Sequence, residues 1–313
     1  MRRFVRISMC THFWQILREV EDIVDEYKKK SKYKECQFFF RGEYKRYPDG
    51  GDVPLPASEC IPSLFRKECH YKNERRIFYE AIRRYPTIFT SNMTTFDMLA
   101  TMQHYQVLTR LLDITSDVRL AAAMATAPFY DVKSEYNEHT AFVYVYAVKG
   151  DCIKYTSSDT VAVLSNLARL EDDKVRFDDL GSLSYEVSRE RPGFDWKERE
   201  ADIREDLKRV WCVLPIQSNE RVRFQSGAFL LFGCEDGKQI LKPSFSEYDF
   251  EGETPSKGIA RVGYVTIKGD RKKMIAKELG DYVAMARHHY YPELPIYAGN
   301  FQAELENETR KEN

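Results

Sequence analysis

Six polar residues crowd one short stretch of the chain. Gln103, His104, Tyr105, Thr109, Arg110 and Asp113 fall within eleven positions, 103–113, and interrupt an otherwise apolar frame. Polar groups set in such a frame must be hydrogen-bonded to one another or to a ligand. His104 titrates near neutrality, so it can act as acid, base or donor, or sit as a satisfied core histidine. Arg110 and Asp113 stand three residues apart, a spacing that allows a local ion pair as well as a ligand-facing role.

A second chemical feature lies upstream. Residues 36–42 read CQFFFRG. Consecutive apolar residues without alternation predict a strand buried on both faces. An arginine at the end of such a strand must meet a partner or an anion. Arg41 therefore has two readings. Its guanidinium can fork onto a phosphate or ribose through two parallel hydrogen bonds, or it can pair with Asp113 or Glu43. If Asp113 is the buried partner of Arg41 or Arg110, its replacement by alanine is expected to cost about 3–5 kcal/mol.

Other chemistries find no support. No Ser–His–Asp set has a motif behind it, and there is neither a Walker phosphate loop nor a Rossmann glycine fingerprint. The seven cysteines are widely spaced with no C-x-x-C pair, which excludes a zinc ribbon and fits a reducing compartment. His288 and His289 are adjacent, and neighbours on a helix point to different sides, so no metal is expected. The 48 basic and 49 acidic residues leave a net charge of −1, with no global pull toward nucleic acid or an anionic membrane. No apolar run approaches a bilayer span, and the basic start MRRFVRISMC lacks the apolar stretch of a secretory signal. The expectation is a cytoplasmic protein; oligomeric state is left open.

These residues need elements to position them. Three- and four-residue apolar spacing from Phe13 to Tyr27 predicts a helix over 11–30 capped by Thr11. Residues 44–62, with Pro48, Gly50, Gly51, Pro54, Pro56 and Pro62, predict a long loop. Helices are expected at 73–85, at 95–104 with Thr94 or Thr95 as cap, at 118–126 in an Ala-rich run stopped by Pro128, at 159–170 and at 270–279. Strands are expected at 140–148, 211–215, 228–233 and 259–268. Residues 171–202 are charged and broken by Gly181, Pro192 and Gly193, as in an irregular insert or helical excursion.

The motifs resemble one family. FFFRG at 38–42 resembles the motif that names the FRG domain. IPSLFRK at 61–67, MQHYQVLTRLLDIT at 102–115 and RVRFQSGAFLLFG at 221–233 follow in the same order as that family's other conserved segments. Gln106 stands where the family usually has Gly, a departure that concerns the local turn. The resemblance implies a helical lead at 1–34, an FRG domain over 35–300 with a charged insert near 171–205, and a frayed tail at 301–313. It also implies a bacterial setting, as a sensor or effector in conflict with phages.

In motif order the FRG domain is similar to the ADP-ribosyltransferase fold, which implies an α+β architecture: a split β-sheet core with flanking helices and an N-terminal helix. The resemblance implies NAD or another nucleotide as ligand. Arg41 with Gly42 would match the first motif of those enzymes, and Thr115 with Ser116, ahead of the Ala-rich helix, the second. Gln225 stands where they carry a catalytic Glu. Arg41, His104, Asp113 and Gln225 are thereby the catalytic candidates. Arg41, Gly42, Gln103, Thr109, Arg110, Thr115 and Ser116 are the cofactor-binding ones. A neutral Gln225 supplies no negative charge, so either another carboxylate such as Asp113 serves or the protein binds without that reaction. The alternative is a non-catalytic interaction module whose partner surface is the 44–62 loop.

Overall fold

The computed structural model describes residues 9–45, 60–126, 139–171, 174–216 and 227–283. In chain order the elements are β1 (Met9–Cys10), α1 (Phe13–Lys28), β2 (Gln37–Glu43), α2 (Glu68–Tyr71), α3 (Glu74–Arg84), α4 (Thr95–His104), β3 (Leu111–Thr115), α5 (Val118–Thr126), β4 (Ala141–Val148), β5 (Ile153–Tyr155) and α6 (Asp159–Asn166). They continue with α7 (Gly181–Glu190), α8 (Trp196–Leu207), β6 (Val210–Leu214), β7 (Gly227–Phe232), β8 (Cys234–Glu235), β9 (Gln239–Ile240), β10 (Ile259–Ile267) and α9 (Lys272–Val283).

Eight strands form one mixed sheet in the order β1-β10-β4-β2-β3-β7-β6-β5. The pairings are antiparallel except β1 with β10 and β5 with β6. β4 is buried along its whole length between β10 and β2, which is why its sequence shows no polar alternation. The centre of the sheet is its weak joint. β2 pairs with β4 from Gln37↔Val148 to Glu43↔Phe142, and β3 pairs with β7 from Leu111↔Leu231 to Thr115↔Gly227. Between β2 and β3 the register holds only at Phe40↔Thr115. From Arg41 onward the two strands diverge, so the sheet parts into two halves at that residue.

Helices cover one face. α1, α5 and α9 pack on the β10-β4-β2 half through Ile16, Val20, Ala121, Ala125, Val143, Val145 and Leu279. α3, α4, α6, α7 and α8 pack on the β3-β7-β6 half through Phe78, Leu99, Leu164, Leu183, Ile203, Leu111 and Leu231. The opposite face is covered by Leu64, Phe65, Leu241 and Phe245 over Phe39, Tyr144, Tyr146, Leu112 and Phe232.

The helix signals are met with one correction. His12, not Thr11, is the N-cap of α1, and the helix start is closed from outside: Phe13 N donates to Glu278 Oε2 (2.7 Å), while His12 Nδ1 lies 2.7 Å from Glu278 Oε1. Of the two forms expected for residues 171–202, the helical excursion is the one found: α7 and most of α8 fall there. Their charges bridge helices: Arg191 and Arg199 donate to the two oxygens of Asp159 at 2.8 and 2.9 Å. α4 starts as expected, with Thr94 accepting from Asp97 N and Asp97 accepting from Thr94 N. Most of the 44–62 loop, Pro128, and the His288–His289 pair lie outside the described residues.

Among the described residues, no helix is long and apolar enough to cross a membrane. No group of three His, Cys, Asp or Glu among them could hold a metal ion.

Candidate functional site

The alternation of a strand sends Phe39, Arg41 and Glu43 to one face of β2 and Phe38, Phe40 and Gly42 to the other. Gly42 faces α5. A Cβ there would stand 1.9 Å from the carbonyl oxygen of Ala121 and 2.7 Å from Ala125 N. Only glycine lets the helix backbone lie directly on the strand, and the small side chains of Ala121, Ala122 and Ala125 complete that approach. The Phe-Arg-Gly order thus couples a close helix contact to an arginine on the reverse face.

Arg41 fills the divergence of β2 and β3. Its Nη1 donates to the backbone carbonyl of Asp113 at 2.8 Å, where a continued ladder would have placed a backbone donor. Its Nε donates to Glu43 Oε1 at 3.0 Å, and Asp113 Oδ2 stands 3.8 Å from Nη1. The side chain keeps 11% of its exposure. Burial works against its charge, but Glu43 and then Asp113 outweigh that and push the pKa above the usual arginine value. Among the described residues, Nη2 meets no hydrogen-bond acceptor.

A relay orients Asp113 from behind. Thr109 Oγ1 donates to Gln103 Oε1 at 2.6 Å, and Gln103 Nε2 donates to Asp113 Oδ2 at 2.9 Å. Thr109 also accepts from Leu111 N at 3.2 Å, which fixes the entry into β3. The geometry that brings Gln103 to Asp113 depends on the turn after α4. Val107 N bonds Met102 O and Gln106 N bonds Gln103 O, a Schellman closure with Gln106 at φ 60°. This left-handed position is the physical reason for the glycine preference noted at residue 106.

Arg41, Gln103, Thr109 and Asp113 are therefore linked in one site. Thr115 sits beside them, opposite Phe40 in register and buried, with its hydroxyl accepting from Asp117 N at 3.1 Å. Ser116 follows on the surface. His104 ends α4, half-buried, with its ring edge-on to Tyr105 at 4.9 Å. Gln225 lies outside the described residues.

Two expectations on ion pairs change. Arg110 does not pair with Asp113. It is 1% exposed and forks onto Glu74, with Nε to Oε1 at 2.7 Å and Nη2 to Oε2 at 2.5 Å, while Nη1 donates to the carbonyl of Phe232 at 2.9 Å. Lys238 joins at 3.1 Å from Glu74 Oε2. Burial raises the Glu74 pKa, but Arg110 and Lys238 together hold it down to about 2. Asp113, in turn, is 38% exposed and only a secondary partner of Arg41, so its removal costs far less than a buried-pair loss. The α3 carboxylate escaped the sequence reading because nothing in the spacing of Glu74, Arg110 and Lys238 links them.

Comparison with known proteins fits this part of the chain. The family model described as FRG domain matches residues 54–132, so the chain carries an FRG domain that includes the Gln103–Asp113 relay and α5. Arg41 and Gly42 lie just upstream of the matched span. No curated protein and no solved structure matches the chain.

Proposed function

We propose that the cleft where β2 and β3 part binds NAD or another nucleotide, on a sheet that serves as an ADP-ribosyltransferase-like core. One observation carries this reading. Arg41 stands at the parting with Nε and Nη1 engaged and Nη2 meeting no acceptor among the described residues, so a phosphate can be taken without breaking the contacts that aim the side chain. Gly42, locked under α5, sets the strand from which Arg41 projects.

Thr115 and Ser116 shape the neighbouring wall for the nicotinamide side, His104 serves as a nearby donor, and Gln225 orients a ribose hydroxyl. Asp113 is the carboxylate at hand. Oδ2 is held by Gln103, and the group remains more than a third exposed, so Oδ1 can face a ligand. In ADP-ribosyl transfer the bond between the ribose carbon and the nicotinamide nitrogen breaks, and nicotinamide leaves with the electron pair. A carboxylate stabilises the positive charge that develops on the sugar. Arg110 is left out of the ligand set because its fork is already closed on Glu74.

Calorimetric titration with NAD tests the binding, and release of free nicotinamide separates transfer from binding alone. Saturable heat that is lost in Arg41→Ala supports the reading. No heat with any nucleotide, from folded protein, turns the assignment toward a module that recognises another protein.

A further inference from the structure

The eight-stranded sheet has two edges, and they are built differently. One is β5, Ile153–Tyr155, which carries Lys154, a charged residue of the kind that blunts an edge strand. The other is β1, Met9–Cys10, which has no charged side chain. β1 pairs with β10 on one side, and among the described residues no strand meets its other side. A groove of about 420 Å³ runs there between β1 and the outer flank of α1. It is lined by Met9, Cys10 and Trp14 and by the charged Arg18, Glu19 and Asp22.

The walls combine apolar area with unused charge. Met9 is 51% exposed and Trp14 57%, and Leu17, three residues along α1 from Trp14, is 37% exposed. A tryptophan left in water forgoes a large gain from burial, which is why such residues anchor interfaces. Among the described residues, Arg18, Glu19 and Asp22 meet no opposite charge. Arginines on other helices close on a carboxylate one turn away, as Arg83 does on Glu80 at 2.8 Å and Arg189 on Glu186 at 3.2 Å. Both signs therefore stand open side by side on one flank of α1. Such a surface is complementary to a copy of itself turned about a two-fold axis, since residue i then meets j and j meets i. A net charge of −1 adds little repulsion between two chains.

We propose that this groove is a self-association surface and that its occupant is a second copy of the chain. The free side of β1 pairs antiparallel with β1 of the partner subunit about a two-fold axis normal to the sheet, which supplies the main-chain hydrogen bonds the edge lacks. Trp14 of each chain enters the groove of the other, and Arg18 faces Glu19 or Asp22 of the partner subunit. A uniformly basic or acidic partner fits less well, because it sets like charges against Arg18 or against Glu19 and Asp22. α1 lies on the helix-covered face together with α5, and Arg41 projects from the reverse face, so the pairing does not depend on what the Arg41 cleft binds.

Sedimentation of the full chain tests the pairing. The parent protein is expected to pass from the mass of one chain to that of two as its concentration rises through the micromolar range. Trp14→Glu should leave a monomer with an unchanged helical spectrum, because that side chain stands outside the core. Two charge variants probe the two-fold itself: Arg18→Glu in one chain, and Glu19→Arg with Asp22→Arg in another. Each alone should weaken association about tenfold or more, because a like-charge contact then occurs twice across the axis. Mixed in equal amounts, the two should form a heterodimer at least as tightly as the parent pairs with itself, since every contact regains opposite signs. A parent protein that stays monomeric up to about 100 μM overturns the proposal. A parent dimer that Trp14→Glu leaves intact also overturns it, because the chains then meet elsewhere. So does a mixture of the two charge variants that associates no better than either alone.

Discussion

Gly42 and Ala121 touch backbone to backbone: a Cβ on Gly42 would lie 1.9 Å from the Ala121 carbonyl oxygen. The obstacle is main chain of a buried helix, so no side chain can swing away to relieve it. Overpacking of this kind is expected to cost about 3 kcal/mol or more. Gly42→Ala should therefore lower the melting temperature sharply or prevent soluble expression. A variant that melts like the parent would show that α5 does not rest on β2 at this point.

Gln106 makes the opposite prediction. Its φ of 60° is a left-handed conformation that costs an L-residue roughly 1–2 kcal/mol. Gln106→Gly removes that cost at the price of added freedom in the unfolded chain, leaving a net gain of about 0.5–1 kcal/mol. Chemical denaturation should show a higher midpoint at unchanged slope. The Gln103–Asp113 hydrogen bond should survive, since the Schellman closure that aims Gln103 is kept.

The Glu74–Arg110–Lys238 cluster predicts a pH dependence. The folded pKa of Glu74, about 2, lies below its ordinary value of 4.5. Its contribution is fully present above about pH 4.5 and is lost as the pH falls toward 2, because the unfolded chain takes up the proton first. The shift corresponds to roughly 3 kcal/mol at neutral pH. Glu74→Gln should flatten this part of the acid limb of a stability–pH profile and lower stability near neutrality. An acid limb identical in the variant would mean that other carboxylates set it.

The elements around the site were largely legible in the chain. The cap at Thr94, the Ala-rich run of α5 and the unbroken apolar run of β4 each follow from a local rule, and the structure places them within a residue or two. What local rules could not reach was partner choice. Arg110 is closer in sequence to Asp113 than to Glu74, yet the turn at 105–107 and the entry into β3 swing it to the opposite partner, 36 residues upstream. The same holds for Arg261, whose place beside Tyr144 depends on a strand register made across more than a hundred residues. α7 and α8 were legible only as a helical excursion without bounds, because their buried residues, such as Leu183, Val187, Ile203 and Leu207, are few among charges that bridge helices. The parting of the sheet at Phe40↔Thr115 leaves no mark in residue type at all.

The most direct measurement is a thermal shift with NAD on the parent protein, Arg41→Lys and Arg41→Ala. A ligand that binds only the folded state adds about 2.7 kcal/mol at 100 times its Kd, so the parent is expected to melt higher as NAD is raised. Arg41→Lys keeps the charge facing Glu43 and so controls for folding, yet an ammonium cannot hold Glu43 and the Asp113 carbonyl while presenting a further N–H to a phosphate. Both variants should lose most or all of the shift. A parent-sized shift in both variants, or none in the well-folded parent with any dinucleotide at millimolar concentration, would contradict the assignment of the cleft at Arg41.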